Sequence, residues 1–225
     1  MPEKIRIAID GPAASGKSTT ARLLAKKLGY LYIDTGAMYR AATLSVLRAG
    51  IDIHDEQAVV EHVKKIKISL KIIDGVQRTF LNGENVSGLI RTPEINQVIS
   101  VISSYPGVRQ VLIEQQRQLA REGGVVMDGR DIGTVVLPDA ELKVFLVASL
   151  EERARRRQLD MERQGIQMDL EEIKKEIARR DELDSSRSAA PLKKAADARQ
   201  LDTTHLTIKQ QVEIIYQWAL EKIKS

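Results

Sequence analysis

Short apolar runs alternate along this chain with segments in which apolar residues recur every three or four positions. The runs occupy residues 5–9, 30–33, 125–128 and 143–148, and a weaker one lies near 198–202. Each run has the length of a buried strand, whereas Ala21, Leu24 and Leu28 after the first run share one helix face. Such alternation is typical of an α/β protein. We therefore predict a five-stranded parallel sheet flanked by helices.

Residues 51–103 interrupt this pattern with an alternation of period two. Apolar residues occupy positions 66, 68, 70 and 72, and the pairs Asp74–Gly75 and Asn82–Gly83 follow at the spacing of hairpin turns. We expect three short antiparallel strands here. They would form a lobe inserted into the main fold.

Residues 149–187 are dense in charge and have helical periodicity. Glu151 with Arg155, and Glu152 with Arg156, stand four residues apart in the order that stabilises a helix. Gly165 divides the segment into two predicted helices. We interpret it as a mobile helical lid, so that 1–50, 104–148 and 188–225 remain as the core.

Composition narrows the class of protein. The 225 residues are 43% hydrophobic, include no cysteine, and carry a formal net charge of +4. No apolar run approaches the roughly 20 residues of a membrane-spanning helix, and the first residues lack the pattern of a secretory signal. We expect a cytoplasmic protein without disulfides or membrane contact. No long exposed apolar stripe stands out, so we also expect a monomer.

The stretch after the first strand carries the clearest chemistry. Gly11, Gly16, Lys17 and Ser18 satisfy the pattern G-x-x-x-x-G-K-[ST]. Glycines let the backbone N–H groups surround a phosphate, and the following helix presents its positive end to the anion. Lys17 can then reach the β and γ oxygens, and the Ser18 hydroxyl can ligate Mg²⁺. The alternative is an ordinary glycine-rich turn, but a strand before and a helix after favour a nucleoside triphosphate site.

Two further segments follow predicted strands. In DTGAMYR, Thr35 can cap the next helix and bond a phosphate, and Arg40 suits an anion; the alternative is a capped surface helix. In DGRDIGTVVLPDA, Asp128 can hold Mg²⁺ through water, Arg130 can bind a phosphate, and Asp131 can accept hydrogen bonds. A plain Asp-Gly turn is the alternative there. Asp34 stays open between forming the turn and supporting Mg²⁺ through water.

A third segment, ARRDELDSSRSAAP, places Arg180, Asp184 and Arg187 on one stripe if its helix continues that far. Taken alone, the stripe is more typical of a solvated face with an internal ion pair. The three segments indicate an acceptor site only when they are considered together with the phosphate loop.

GPAASGKST, DTGAMYR, DGRDIGTVVLPDA and RDELDSSR, in this order and spacing, resemble the bacterial cytidylate kinases. The resemblance covers essentially the whole chain, including the three-stranded insert, and it implies that the insert at 51–103 binds the nucleoside monophosphate. It implies a P-loop nucleoside monophosphate kinase that transfers the γ-phosphoryl group of ATP to CMP or dCMP with Mg²⁺.

The resemblance also implies roles for individual residues. ATP would be bound by Gly11, Pro12, Ala13, Ala14, Ser15, Gly16, Lys17, Ser18, Thr19 and Arg157, with Arg153 and Arg156 as further possible contacts. CMP would be bound by Thr35, Tyr39, Arg40, Ser100, Arg109, Arg130, Asp131, Arg180, Asp184 and Arg187. Lys17, Arg130, Arg180 and Arg187 would be catalytic, and Ser18 and Asp128, the latter through water, would hold the metal. Thr35 departs mildly from the family, which often has Ser there.

Base chemistry indicates the specificity. Cytosine offers an amine donor at N4 where uracil has an acceptor, so a carboxylate such as Asp131 favours CMP. Two alternatives remain: a P-loop kinase of another small acceptor such as UMP or AMP, and a nucleotide-dependent RNA-binding protein using the arginines at 153–157. Interleaved Glu partners and few aromatic residues weigh against RNA, so nucleic acid is not an expected partner.

Overall fold

The computed structural model describes residues 4–73, 76–163, 165–187 and 190–224. The chain divides into two compact units. One is formed by Met1–Tyr32 together with Glu122–Ser225, and the other by Ile33–Arg121. The predicted insert, 51–103, lies within the second unit, and the predicted lid, 149–187, belongs to the first.

Strands and helices alternate along most of the chain. The strands are β1 (Arg6–Asp10), β2 (Leu31–Asp34), β3 (Ile68–Ile73), β4 (Val76–Leu81), β5 (Glu84–Asn85), β6 (Val125–Gly129), β7 (Leu142–Val147) and β8 (Arg199–Asp202). The helices are α1 (Lys17–Leu28), α2 (Thr35–Arg48), α3 (Glu56–Val63), α4 (Pro93–Ser104), α5 (Pro106–Leu119), α6 (Leu150–Glu162), α7 (Leu170–Ser186) and α8 (Ile208–Lys224). None of the helices among the described residues is long and apolar enough to cross a membrane.

Five strands form the main sheet in the order β2-β6-β1-β7-β8. The central strand β1 pairs in parallel with β6 and β7, and β7 pairs in parallel with β8. Ile7, Ala8 and Ile9 are fully buried because helices cover both faces of such a sheet, which explains the unbroken apolar run. The predicted five-stranded parallel sheet is confirmed.

Helices α1 and α8 pack on this sheet through apolar faces. Leu24 of α1 and Ile215 of α8 are both fully buried in the main apolar core. Helix α1 ends at Gly29, whose φ of 69° places it in the left-handed region, and the Tyr30 N–H closes the turn on the Ala25 carbonyl at 2.9 Å. The apolar face of α1 and the glycine that ends it are therefore both recognisable in the local sequence.

The second unit contains a separate sheet of order β3-β4-β5, which confirms the predicted three-stranded antiparallel lobe. Asn82 and Gly83 both have positive φ, as an Asn-Gly hairpin turn requires. The predicted Asp74–Gly75 turn lies outside the described residues. The buried side of the alternation ends at Leu70, since the side chain of Ile72 is 60% exposed.

A single π turn, Ile132–Val136, separates β6 from β7. The Asp131 carbonyl accepts hydrogen bonds from both Val135 and Val136, and the Leu137 N–H reaches the Ile132 carbonyl at 2.7 Å. Turns of this kind are rare and occur often at functional sites. Here the turn directly follows the segment that carries Arg130 and Asp131.

Candidate active site

The phosphate loop joins β1 to α1 and packs tightly at its first glycine. A Cβ at Gly11 would lie 2.3 Å from the Leu146 carbonyl oxygen of β7, so only glycine fits there. Gly16, with φ of 88°, is the N-cap of α1 in a left-handed conformation. These two glycines allow the loop to curl over the strand ends and direct its N–H groups and the start of α1 toward an anion.

Lys17 lies at the centre of this loop and is buried. Its Nζ donates a 2.8 Å hydrogen bond to the Pro12 carbonyl. Burial, followed by the positive charge of Arg130, lowers the pKa of Lys17 well below its ordinary value, against the opposing effect of Asp128. The same electrostatic neighbourhood includes Arg180 and Asp184. The structure thus brings four predicted site residues around the loop lysine.

Ser18 and Asp128 meet at the carboxyl ends of the strands, as predicted for the metal site. The Ser18 hydroxyl donates to Asp128 Oδ2 at 2.6 Å, and the Tyr32 hydroxyl donates to Oδ1 at 2.8 Å. A hydroxyl and a carboxylate beside a phosphate loop are hard oxygen donors of the kind that Mg²⁺ takes. The residues present therefore fit a magnesium ion. Sequence reasoning missed Tyr32, whose only signal is its position in the strand before Asp34.

Arg130, Asp131, Asp184 and Arg187 form a charged cluster in the first unit. Arg130 Nε donates to Asp184 Oδ2 at 2.6 Å, and Arg187 lies 3.9 Å from oxygens of both Asp131 and Asp184. Burial opposes ionisation of Asp184, but Arg130, Arg180 and Arg187 outweigh it and hold the pKa of that carboxyl below its ordinary value. The guanidinium groups therefore hold Asp184 in its charged form.

The predicted stripe on α7 forms only in part. Arg180 and Asp184 lie in the helix, whereas Arg187 is its C-cap in an extended conformation. Asp184 pairs at 2.6 Å with Arg130 from a different element, and it also lies 3.9 Å from Arg187, so the stripe is more than a solvated face with an internal ion pair. Arg180 is exposed at the surface overall, yet desolvation by its surroundings and the charges of Arg130 and Arg157 lower the pKa of its guanidinium.

Two arginines of α6 form hydrogen bonds with the backbone of the phosphate loop. Arg153 donates to the Ala13 carbonyl at 3.1 Å and pairs with Asp181 of α7, which in turn accepts the Ala13 N–H at 3.2 Å. Both backbone groups of Ala13 are therefore hydrogen-bonded by side chains of α6 and α7.

Arg156 makes a second connection to the same loop. It donates to the Ser15 carbonyl at 3.4 Å and to the Thr203 carbonyl at 2.5 Å. Arg153 and Arg156, considered as possible ATP contacts, thus bind loop backbone in this structure. Of the three arginines, Arg157 is the one placed beside Arg180 electrostatically.

In the second unit, the N-terminus of α2 differs from the prediction by one residue. Asp34 is the N-cap, since its Oδ1 accepts the Ala37 N–H at 2.8 Å, and Thr35 is the first helical residue. The expectation that Thr35 caps the helix is therefore wrong. Asp34 Oδ2 also pairs with Arg91 at 2.8 Å, so the structure shows Asp34 in the turn-forming role.

The other predicted CMP contacts of this unit lie on three helices. Tyr39 and Arg40 are in α2, Ser100 is in α4, and Arg109 is in α5. The Arg109 guanidinium lies 5.8 Å from the centroid of the Tyr39 ring and is buried, whereas Ser100 is exposed. The structure thus pairs Tyr39 with Arg109 and leaves Ser100 at the surface of the unit.

The chain is similar to known proteins over nearly its full length. The profile of the cytidylate kinase family matches residues 7–221. The cytidylate kinase of Geobacillus sp. (strain WCH70) is 53% identical over 223 residues, which cover 99% of this chain and all of that protein. The cytidylate kinase of Bacillus thuringiensis (strain Al Hakam) is 53% identical over 215 residues, 96% of each chain. The chain belongs to the cytidylate kinase family, so it is a phosphotransferase.

One solved structure is similar in fold at low identity. The shikimate kinase from Bacteroides thetaiotaomicron has 13% identical residues and a TM-score of 0.50, with 99% of this chain and 100% of that chain covered. At that identity the likeness bears on the fold alone. It agrees with the parallel sheet and phosphate loop described above.

Proposed function

We propose that this protein transfers the γ-phosphoryl group of ATP to CMP or dCMP, giving ADP and CDP or dCDP. The observation that carries the proposal is the group of charged side chains around Lys17, which includes Arg130 and Arg180. Direct transfer between two phosphorylated molecules needs a donor loop and an anion-binding cluster close together, because like charges must be brought into line.

ATP is assigned to the loop Gly11–Thr19. The loop N–H groups and the N-terminus of α1 face the phosphates, and the Lys17 ammonium moves from the Pro12 carbonyl to the β and γ oxygens. We assign Mg²⁺ to Ser18 and, through water, to Asp128. When bound, the ion neutralises charge on the β- and γ-phosphates.

CMP is assigned to the charged cluster of the first unit, with Arg130, Arg180 and Arg187 on phosphate and Asp184 on the sugar. In the second unit, the family resemblance supports Thr35, Tyr39, Arg40, Ser100 and Arg109 as further contacts. Asp131 accepts a hydrogen bond from the cytosine N4 amine. Uracil would place an acceptor against the same carboxylate, and an unpaired buried polar group discriminates strongly.

In phosphoryl transfer the protein contributes little covalent chemistry and acts mainly by positioning the reactants and stabilising charge. The transition state spreads negative charge over the moving group, and Lys17 with the arginines offsets that charge without reorganising. Helices α6 and α7 act as the lid that excludes water, so that the CMP phosphate rather than water receives the group. We further infer that the enzyme is a cytoplasmic monomer, from its composition and the absence of a long exposed apolar stripe.

ADP formation from ATP and Mg²⁺, with CMP, dCMP, UMP, AMP and GMP supplied one at a time, tests the proposal. We expect fast turnover with the cytidine nucleotides only. Faster turnover of UMP or AMP than of the cytidine nucleotides would show that the enzyme's phosphoryl acceptor is not CMP. Acceptor-independent ADP formation together with a salt-dependent RNA mobility shift would favour an RNA-binding function.

A further inference from the structure

Asp10, the last residue of β1, is a buried carboxylate outside the assigned set of binding residues. It is 4% exposed. Its Oδ1 accepts the Ile132 N–H and its Oδ2 accepts the Gly133 N–H, each at 2.8 Å. Both carboxylate oxygens are thus bonded to consecutive backbone groups more than a hundred residues away in sequence.

Those two N–H groups open the π turn. The first N–H groups of any helical turn lack partners within it and need an acceptor from outside. The residue at the N-cap normally supplies one with its side chain, but Asp131 occupies that position without a side-chain cap bond. Asp10 therefore caps the turn from another strand, and the Asp131 carboxylate instead lies 3.9 Å from Arg187.

The backbone on either side of Arg130 and Asp131 is fixed by the same residue. Asp10 is the parallel partner of Gly129 in the pairing of β1 with β6. Its side chain then holds Ile132 and Gly133. Arg130 and Asp131 are the two residues between these anchors, so the conformation of the short segment depends on Asp10 at both ends.

We propose that Asp10 is a positioning residue that aims Asp131 and Arg130 at the acceptor nucleotide and thereby sets the preference for cytosine over uracil. The inference rests on the proposed function. Asp10 is buried, and both of its carboxylate oxygens accept backbone N–H groups, so it acts through the residues it orients.

Burial of the Asp10 carboxylate has an electrostatic cost. Burial, and secondarily the charge of Asp131, raise the pKa of Asp10 to about 6, while its two backbone hydrogen bonds and Lys17 act in the opposite direction. At neutral pH the protein thus keeps a buried anion close to a second carboxylate. An apolar residue at this strand end would avoid that cost, but it could not hold the two N–H groups.

The test is steady-state kinetics of Asp10→Asn with CMP and with UMP. Asparagine retains the shape but has one acceptor oxygen, and its NH₂ group faces the other N–H. We expect kcat/KM for CMP to fall about 10- to 100-fold, as for a small misplacement of binding groups, while the KM for ATP is little changed. The ratio of kcat/KM for CMP to that for UMP is expected to fall with it.

A double-mutant cycle separates positioning from general damage. If Asp10 acts through Asp131, Asp10→Asn lowers the CMP-to-UMP ratio in the wild-type background and leaves it unchanged in the Asp131→Ala background. Tyr30→Phe is the matched control, because it removes a side-chain bond to the other end of β1, where the Tyr30 hydroxyl accepts the Ile5 N–H. That variant is expected to lose stability without a change in the ratio.

An unchanged CMP-to-UMP ratio in Asp10→Asn, or an equal loss in both backgrounds, overturns the proposal. If Asp10→Asn does not fold, Asp10→Glu provides the same readout, since it keeps the charge and shifts the acceptor oxygens by one methylene. A wild-type enzyme with no acceptor-dependent turnover would instead refute the proposed function, so the two failures are distinguishable.

Discussion

The Ser18 hydroxyl donates a 2.6 Å hydrogen bond to Asp128 Oδ2. This contact joins the start of α1, which follows the phosphate loop, to the end of strand β6. The distance places both oxygens within reach of a single small cation. Tyr32 holds the other carboxylate oxygen and fixes the orientation of Asp128. Three residues from separate elements therefore form the polar contact at which we propose the magnesium site.

Asp128→Asn tests this arrangement. The amide keeps the shape but removes the negative charge, so we expect a loss of about 10- to 100-fold in activity, with partial recovery at high Mg²⁺. Titration of turnover against Mg²⁺ concentration measures it. Tyr32→Phe, which removes only the orienting bond, is expected to have a smaller effect of the same kind. Equal Mg²⁺ dependence in Asp128→Asn and wild type would place the metal elsewhere.

Asp131→Ala is expected to reduce the preference for CMP over UMP, because the acceptor for the N4 amine is lost. Asp131→Asn is more telling, since its NH₂ group can donate to the uracil O4. We expect its preference to shift toward UMP by at least about tenfold relative to wild type. Competition between CMP and UMP in one reaction gives the ratio directly, and an undiminished ratio in both variants contradicts the assignment.

The raised pKa of Asp10 has a consequence for stability. Its folded-state pKa of about 6 exceeds the ordinary value of 3.8, so the folded protein binds this proton more tightly than the unfolded chain. The associated stability is fully present below about pH 4 and is lost as the pH rises through about 6. We expect wild type to lose about 3 kcal/mol relative to Asp10→Asn between these limits.

Urea unfolding of both proteins from pH 4 to pH 8 provides the measurement. Titrating groups far from Asp10 are present in both proteins and cancel in the difference, whereas Asp131 and Lys17 interact with Asp10 and contribute to it. A difference in the free energy of unfolding that does not vary with pH would show that Asp10 titrates normally.

The bridge from Arg153 to Asp181 around Ala13 is expected to stabilise the first unit. Removal of one partner leaves the other charge buried, so Arg153→Met or Asp181→Asn should cost about 2 to 3 kcal/mol, toward the low end because Asp181 is partly exposed. The double variant should cost less than the sum. Lys64→Ala, which removes an exposed ion pair with Glu61, is the control and should change little. Additive losses would mean that the two side chains act independently.

Local signals account for what could be predicted from sequence. The glycines at 11 and 16, the apolar run of β1 and the Asn82–Gly83 turn are each readable within a few residues, and each has the expected conformation. The N-terminus of α2 shows the limit, because Asp34 and Thr35 are both good caps and only the length of β2 decides between them. Propensity alone does not resolve such a choice.

Contacts between distant residues could not be predicted. Asp10 meets Ile132, Tyr32 meets Asp128, and Arg153 meets Ala13, in each case across a large sequence separation. A strand-end Asp and a charged helix are too common to suggest such partners by themselves. The charged cluster was predictable as a set of residues, but the pairing of Arg130 with Asp184 emerges only from the fold.

The π turn Ile132–Val136 follows Arg130 and Asp131 directly. The positions of these two side chains therefore depend on the number of residues in the turn as well as on their identity. A π turn contains one residue more than the corresponding α-helical turn. Deletion of a single residue such as Thr134 would preserve every charged side chain, yet it would change the rotational phase between Asp131 and Leu137 by roughly 100°. Chain length within 132–136 is therefore a variable in its own right for redesigning which base the enzyme accepts.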